Sequence, residues 1–221
     1  MMEAMGKEKR WVLAVVSGFS GVGKGTLLER VLLRREDLEV IRSCTTRQRR
    51  DERDNYTFLT REQFEFMQHD GCFLESNCYC NEYYATPVAE VERILGEGKC
   101  PVAEIDPNGL LQVLSGGYFE SDQVHSVFIA EEAEVLVKRL LGRKSDPLDK
   151  VIRRLGEAIE ESRWVHLYDH VILNRDLEAS TVDLDRFLTD FAPHPAPFDG
   201  EAFRAALQPI REDLIRQLEN A

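Results

Sequence analysis

Lys24 closes the run Ser20-Gly21-Val22-Gly23 and is followed by Gly25 and Thr26. Glycines let a backbone turn sharply and approach a ligand with no Cβ in the way, so successive N–H groups can point into one concavity. A helix opening at that point adds the positive end of its dipole, and a lysine adds a mobile cation for β- and γ-phosphates. The chemistry of the set Ser20, Gly21, Val22, Gly23, Lys24, Gly25 and Thr26 is therefore the cradling of a polyphosphate. The usual pattern puts Ser or Thr directly after the lysine, as a magnesium ligand. Here Gly25 holds that place and Thr26 becomes the candidate hydroxyl, acting on phosphate or on a metal-bound water, since Mg²⁺ readily keeps several waters. Loops of this kind serve kinases, GTPases and motor ATPases alike, so the loop alone does not choose the reaction.

A second cluster lies between Ser43 and Tyr56, where Arg47, Arg49, Arg50 and Arg53 fall within seven residues. The planar guanidinium fork can grip two phosphate oxygens at once. Acidic and amide residues are interleaved, so the segment reads equally as a second anion site or as a solvated charged loop. Glu104 and Asp106 stand two apart at a strand's end, hence on one face, at the carboxyl edge where open α/β sheets bind ligands.

The elements that must position these residues follow from periodicity. The apolar run from Trp11 to Val16 reads as a buried parallel strand, and Thr26 to Leu33 has helical spacing; strand, Gly-rich loop and helix is the context a phosphate loop needs. Further strands are expected at Val40-Ile41, Tyr56 to Leu59, Cys72 to Leu74, Val102 to Ile105, Ser126 to Ala130 and His170 to Leu173. Helical patterns start at Thr60, with the capping box Thr60-Arg61-Glu62-Gln63, and cover Val88 to Leu95, Glu132 to Leu141, Asp146 to Val165 and Leu177 to Phe191. In the helix from Asp146, Asp146 is the expected N-cap and Pro147 the first helical residue. Alternating strands and helices imply a mainly parallel sheet covered on both faces. Ala192 to Pro197 reads as a Pro-stiffened linker. Beyond it Phe203, Leu207, Ile210, Leu214 and Leu218 form an apolar stripe that docks on its own domain or on a second copy, as a homodimer contact, with Pro209 expected to kink it or start a new helix.

Composition narrows the partners. The 221 residues carry 28 Lys+Arg against 40 Asp+Glu, a formal net charge of -12. Such a surface repels nucleic-acid phosphates and anionic lipid heads, so neither nucleic acid nor membrane is an expected partner. No apolar run is long enough to span a bilayer. The opening MMEAMGKEKR lacks a signal peptide's apolar core, so the expected location is cytoplasmic. Five cysteines, an odd number, fit a reducing compartment, and Cys72, Cys78 and Cys80 read as ordinary thiols for want of a second CxxC pair or nearby histidines.

Taken in order and at compatible spacing, "SGFSGVGKGT", "SCTTRQRR…E…Y", "FLES…YYATP", "AEIDPNG", "FIA…KRLLGR", "RRLGEAIEE" and "VILNRDL" resemble the guanylate kinase family, nearly continuously from about Trp11 to about Phe187. The resemblance implies an α/β P-loop nucleoside monophosphate kinase fold, a mainly parallel sheet flanked by helices, with GMP-binding and lid subdomains. It implies transfer of the γ-phosphoryl group of ATP to GMP (and dGMP), with Mg²⁺. Its expected division is a domain over 1–191, with core 9–42, 98–138 and 166–191, GMP-binding part 43–97 and lid 139–165, followed by linker and helical appendage over 192–221.

Position by position, the resemblance makes Arg47 and Arg50 the grip on the GMP phosphate, completed by Tyr56 and Tyr84, with Glu52 the acidic residue of the same loop. Glu75 would accept from the guanine N1 and amino groups, and Ser43 and Thr86 would read the carbonyl edge. A carboxylate facing a two-donor edge favours guanine over adenine. Glu104 would help orient guanine, and Asp106 would lie near metal and phosphates, the metal being reached by Asp106 and Thr26 through water. Arg139, Arg143 and Arg154 match lid arginines that, with Lys24 and Arg47, stabilise the transferring phosphoryl; Arg139 and Arg143, four apart, can share one helix face. Asn174 matches the adenine-side residue. The loop between Arg50 and Tyr56 is shorter than the family's and lacks its glycines, and the family's "GNYYG" stands here as Asn81-Glu82-Tyr83-Tyr84-Ala85. These departures bear on affinity and guanine selectivity, not on reaction class. The rival readings are a kinase for another monophosphate or a sugar phosphate, and a silent guanylate-kinase-like binding module; Glu75 with Ser43 and Thr86 argues against the first, Lys24 with the lid arginines against the second.

Overall fold

Leu13, Ala14, Val15 and Val16 expose nothing to solvent, and a run buried on both faces is what a strand inside a parallel sheet requires. In the computed structural model of the chain, which describes residues 12–49, 54–79, 81–142, 147–193 and 196–220, this run begins β1. In chain order the elements are β1 (Leu13–Gly18), α1 (Lys24–Leu32), β2 (Leu38–Val40), β3 (Cys44–Thr45), β4 (Thr57–Phe58), α2 (Arg61–His69), β5 (Phe73–Tyr79), β6 (Glu82–Pro87), α3 (Val88–Gly96), β7 (Cys100–Ala103), α4 (Pro107–Ser115), β8 (Val124–Ala130), α5 (Ala133–Leu141), α6 (Leu148–Glu161), β9 (His170–Leu173), α7 (Leu177–Asp190) and α8 (Gly200–Glu219). The five-stranded sheet has the order β2-β7-β1-β8-β9 and every pairing with a recorded register is parallel. The fold is α/β, as expected.

The chain divides into two compact units. The first holds the start of β1, Glu36–Glu104 and Asn108–His125. Within it β1 and β2 flank β7, Ala14 lying opposite Val102 and Leu38 opposite Cys100. It also carries a second sheet of order β4-β3-β6-β5, in which β6 runs antiparallel to both β3 and β5 and β3 runs parallel to β4. Register sets Glu75 opposite Thr86, and Tyr84 opposite both Thr45 and Asn77. The expected capping box forms, with Thr60 accepting from Gln63 N and Gln63 accepting from Thr60 N.

The second unit holds Val16–Arg35, Ile105–Pro107 and the chain from Ser126 onward. Its β8 and β9 pair from Val127 opposite His170 to Ala130 opposite Leu173. Helix α6 buries Val151, Ile152, Leu155, Ala158 and Ile159 along one stripe. It begins one residue later than expected: Pro147, in extended backbone, is the N-cap, a place its missing N–H suits because that donor has no helical partner there; Asp146 lies outside the described residues. Helix α8 is unbroken through Pro209, which removes one donor, to Ala205, while the rest of the ladder carries the helix on. Asp199 caps α8, accepting from Glu201 N and Ala202 N. The stripe docks on its own unit, α8 lying against α5 and α6 with Phe203, Leu207 and Leu214 buried and Leu218 exposed. Among the described residues no helix is long and apolar enough to cross a membrane.

Candidate active site

The chain leaves β1 through a loop that only glycines can make. A Cβ on Gly18 would lie 2.5 Å from the Ile129 carbonyl oxygen, and Gly23 caps α1 in left-handed backbone (φ +95°) with Asn174 Nδ2 3.1 Å from where a Cβ would stand. Gly23 offers no side chain to the first N–H groups of α1, which leaves that turn suited to an anion. Lys24 opens the helix and folds Nζ back to 3.4 Å from the Gly18 carbonyl. Gly25 and Thr26 are exposed on the first turn, and Ser20 and Gly21 are partly exposed. Phe19 closes the turn, its carbonyl accepting from Val22 N at 3.3 Å.

Two predicted residues meet on this loop. Asn174 Nδ2 and Arg139 Nη1 both donate to the Val22 carbonyl, at 2.6 and 2.8 Å. Arg139 Nη2 also donates to the Asn174 carbonyl at 3.1 Å and pairs at 2.7 Å with Glu131, whose side chain is shut off from solvent. Burial holds the Glu131 carboxyl above the usual carboxylate range, with Arg139 partly opposing it. Arg139 and Asn174 thus brace the loop.

Asp106, between β7 and α4, shares the neighbourhood of Lys24 and Glu161, the last residue of α6. Part of Glu161 reaches the surface, but Oε2 is closed to solvent and has no hydrogen-bond partner among the described residues. Burial pushes its carboxyl up to about 8; Lys24 pulls it down, and the negative charges of Asp106 and Glu157 add to the rise. Burial likewise raises the Tyr168 phenol. Arg154 is partly exposed on α6.

In the first unit the predicted acceptor residues gather on the second sheet. Arg47, only 8% exposed, follows β3. Its Nη1 and Nη2 each donate to one oxygen of Asp54 at 2.8 Å, and its Cζ sits 5.0 Å from the Tyr56 ring centroid. The Asp54 carboxylate holds the guanidinium well above its ordinary range. Tyr56 and Tyr84 meet edge to face with centroids 6.1 Å apart. Burial raises the Tyr56 phenol, and the charge of Glu104, past the end of β7, raises it further. Glu75 on β5 and Thr86 on β6 are buried, and the Thr86 hydroxyl donates to Glu75 Oε1 at 2.6 Å. Ser43, partly exposed, leads into β3 and takes Thr57 N on its carbonyl at 2.9 Å.

Asn81 adopts left-handed backbone, φ +64°, a conformation that asparagine tolerates better than most residues. Ala85 is a buried strand residue opposite Cys44 and Ser76, so Tyr84 stays in register. Arg50, Glu52 and Arg143 lie outside the described residues.

The guanylate kinase family model matches residues 10–191. The chain belongs to the guanylate kinase family. A guanylate kinase of Mycoplasmoides gallisepticum is 36% identical over 188 residues, covering 83% of this chain and 94% of the relative. One from Gloeobacter violaceus is 39% identical over 186 residues, covering 82% and 88%. A crystal structure of guanylate kinase from Anaplasma phagocytophilum shares the fold, with TM-score 0.64 at 24% identity over 82% of this chain and 86% of that one. The family match ends before α8.

Reading the sequence missed Asp54 as the partner of Arg47, Glu131 behind Arg139, and Glu161 near Lys24. Only Glu161 left a signal, an acid three residues after Ala158 on the apolar stripe of α6. Asp54 and Glu131 are set by tertiary pairing, which spacing does not reveal.

Proposed function

We propose that the chain transfers the γ-phosphoryl group of ATP to GMP, and to dGMP, giving ADP and GDP or dGDP. The observation that carries this reading is the buried Glu75 carboxylate tied to Thr86 in a sheet that also bears Tyr84, with Arg47 just after β3 and Tyr56 just before β4. Guanine presents N1–H and an amino group on one edge, and a fixed carboxylate accepts both. Ser43 serves the carbonyl edge, and Thr86 gives its one hydroxyl proton to Glu75 and would reach that edge only by turning away from it. Glu104 helps to orient the base, and Arg47 with the two tyrosines takes the phosphate; Arg50 and Glu52 belong to the same site.

On the donor side the α1 N-terminus and Lys24 take the β- and γ-phosphates, with Arg139 and Asn174 holding Val22. The P–O bond between the γ-phosphorus and the β–γ bridging oxygen breaks as a GMP phosphate oxygen bonds to phosphorus, and ADP leaves. The acceptor is already a phosphate oxygen, so no general base is needed. Lys24, Arg154 and Arg143 offset the charge that builds during transfer. Thr26 and Asp106 are oxygen donors of the kind Mg²⁺ prefers, and Asp106 lies close enough to the Lys24 neighbourhood for its charge to act on Glu161. Magnesium bound there, through water, would shield phosphate charge. The core, GMP-binding and lid division given above is part of this reading, as are a cytoplasmic location and, through what α8 leaves exposed around Leu218, a homodimer.

Phosphorus NMR of a reaction started with ATP, magnesium and GMP tests the reaction. GDP and ADP accumulating in equal amounts is the expected result; inorganic phosphate without GDP would overturn it.

A further inference from the structure

Phe19 belongs to the phosphate loop, yet its ring is held largely from beyond the family's boundary. It is 1% exposed. Phe203 of α8 stacks on it with centroids 4.7 Å apart and planes within 8°. Phe198, from the segment leading into α8, approaches at 5.9 Å, and Phe128 of β8 meets it edge-on at 4.8 Å. Two of these three aromatic neighbours thus follow residue 191, where the family match ends. The Phe19 main chain is part of the cradle: its N–H donates to Ile129 and its carbonyl accepts from Val22 N, each at 3.3 Å. Movement of the ring is therefore movement of the turn that aims the loop's N–H groups.

The same helix grips α6. Arg211 Nε donates to the Ile152 carbonyl at 3.2 Å, and it reaches that carbonyl across Gly156, where a Cβ would lie 3.0 Å from Nε and 3.4 Å from Cζ. Glycine inside a helix is less favourable than alanine, so Gly156 is a notch whose use is to admit Arg211. Helix α6 carries Arg154 two residues beyond Ile152 and Glu161 at its end.

We infer that α8 is a positioning element of the ATP half-site, fixing the phosphate loop through Phe203 on Phe19 and fixing α6 through Arg211 in the Gly156 notch. Its contacts are with the phosphate loop and α6, so its effect falls on ATP binding and on the Arg154-bearing helix, not on the GMP site. The inference rests on the proposed reaction only for its turnover assay, since ATP affinity can be read without an acceptor.

The test compares wild type with Phe203→Ala and Phe203→Leu, measuring KM for ATP, KM for GMP, kcat, melting temperature and calorimetric affinity for a non-hydrolysable ATP analogue. Loss of a well-packed aromatic pair predicts that Phe203→Ala weakens ATP binding about 5-fold or more while KM for GMP stays within about twofold. Phe203→Leu, which keeps the burial, folds even where the alanine variant does not, and shows the same split to a smaller degree. Combined with Phe19→Leu it adds little further loss, because both changes break one contact. Gly156→Ala lowers ATP affinity in wild type but not in Arg211→Ala. Unchanged ATP affinity in both Phe203 variants, or equal losses for ATP and GMP that track melting temperature, would overturn the inference. A wild-type chain that binds the ATP analogue but leaves GMP unphosphorylated would defeat the proposed reaction and leave this one standing.

Discussion

The Thr86 hydroxyl donates to Glu75 Oε1 across 2.6 Å, joining β6 to β5 at the one register position where a buried carboxylate faces a buried hydroxyl. The bond fixes the carboxylate as an acceptor. Glu75→Gln places a donor where guanine also donates, so kcat/KM for GMP should fall about 100-fold or more while KM for ATP is unchanged. Thr86→Val should cost less, about tenfold, because Glu75 remains. Steady-state kinetics with each substrate varied in turn checks both.

Arg47 is engaged by both oxygens of Asp54, the geometry in which it would receive a phosphate. Arg47→Ala should lower kcat/KM for GMP about 100-fold or more, the scale of a lost charge-assisted pair. Asp54→Asn removes a competitor for the guanidinium and should lower KM for GMP about threefold, on the scale of a partly buried ion pair in exchange. A rise in KM for Asp54→Asn would mean that Asp54 positions Arg47 instead of competing for it.

Glu161 gives stability a pH dependence of defined sign. Burial raises its native pKa to about 8 from the ordinary 4.5, so the native state holds the proton more tightly than the unfolded chain. The contribution of the protonated carboxyl is full below about pH 4.5 and is lost as pH rises towards 8. Glu161→Gln keeps the neutral form at every pH. Urea unfolding should find the variant more stable than wild type at pH 8.5, the difference shrinking towards pH 5; a constant difference would place the native pKa near its ordinary value.

Legibility in the sequence followed the range of the forces involved. β1, the glycine loop, the α2 capping box and β9 rest on local signals and were readable to within a few residues. β3 and β6 were not: β3 has two residues, and β6 (Glu82–Pro87) shows no alternation because its pairing with β5 and β3 is non-local. α4 was hidden by Asn108 and Gly109 behind Pro107, though proline at a first helical position is a start signal. The site residues came from motif register, which named Glu75, Thr86 and Arg47. It could not show that Arg139 and Asn174 meet on the Val22 carbonyl, or that Asp54 occupies Arg47, because partners of that kind are chosen by the folded chain.

The central claim is acceptor identity, and the most direct test is ADP formation from ATP and magnesium across GMP, dGMP, AMP, CMP and UMP at equal concentration. The account predicts turnover with GMP and dGMP at least about 100-fold above the other three, the discrimination expected of a carboxylate that pairs with guanine's two donors. Comparable rates with AMP, or turnover with none of the five, would contradict it.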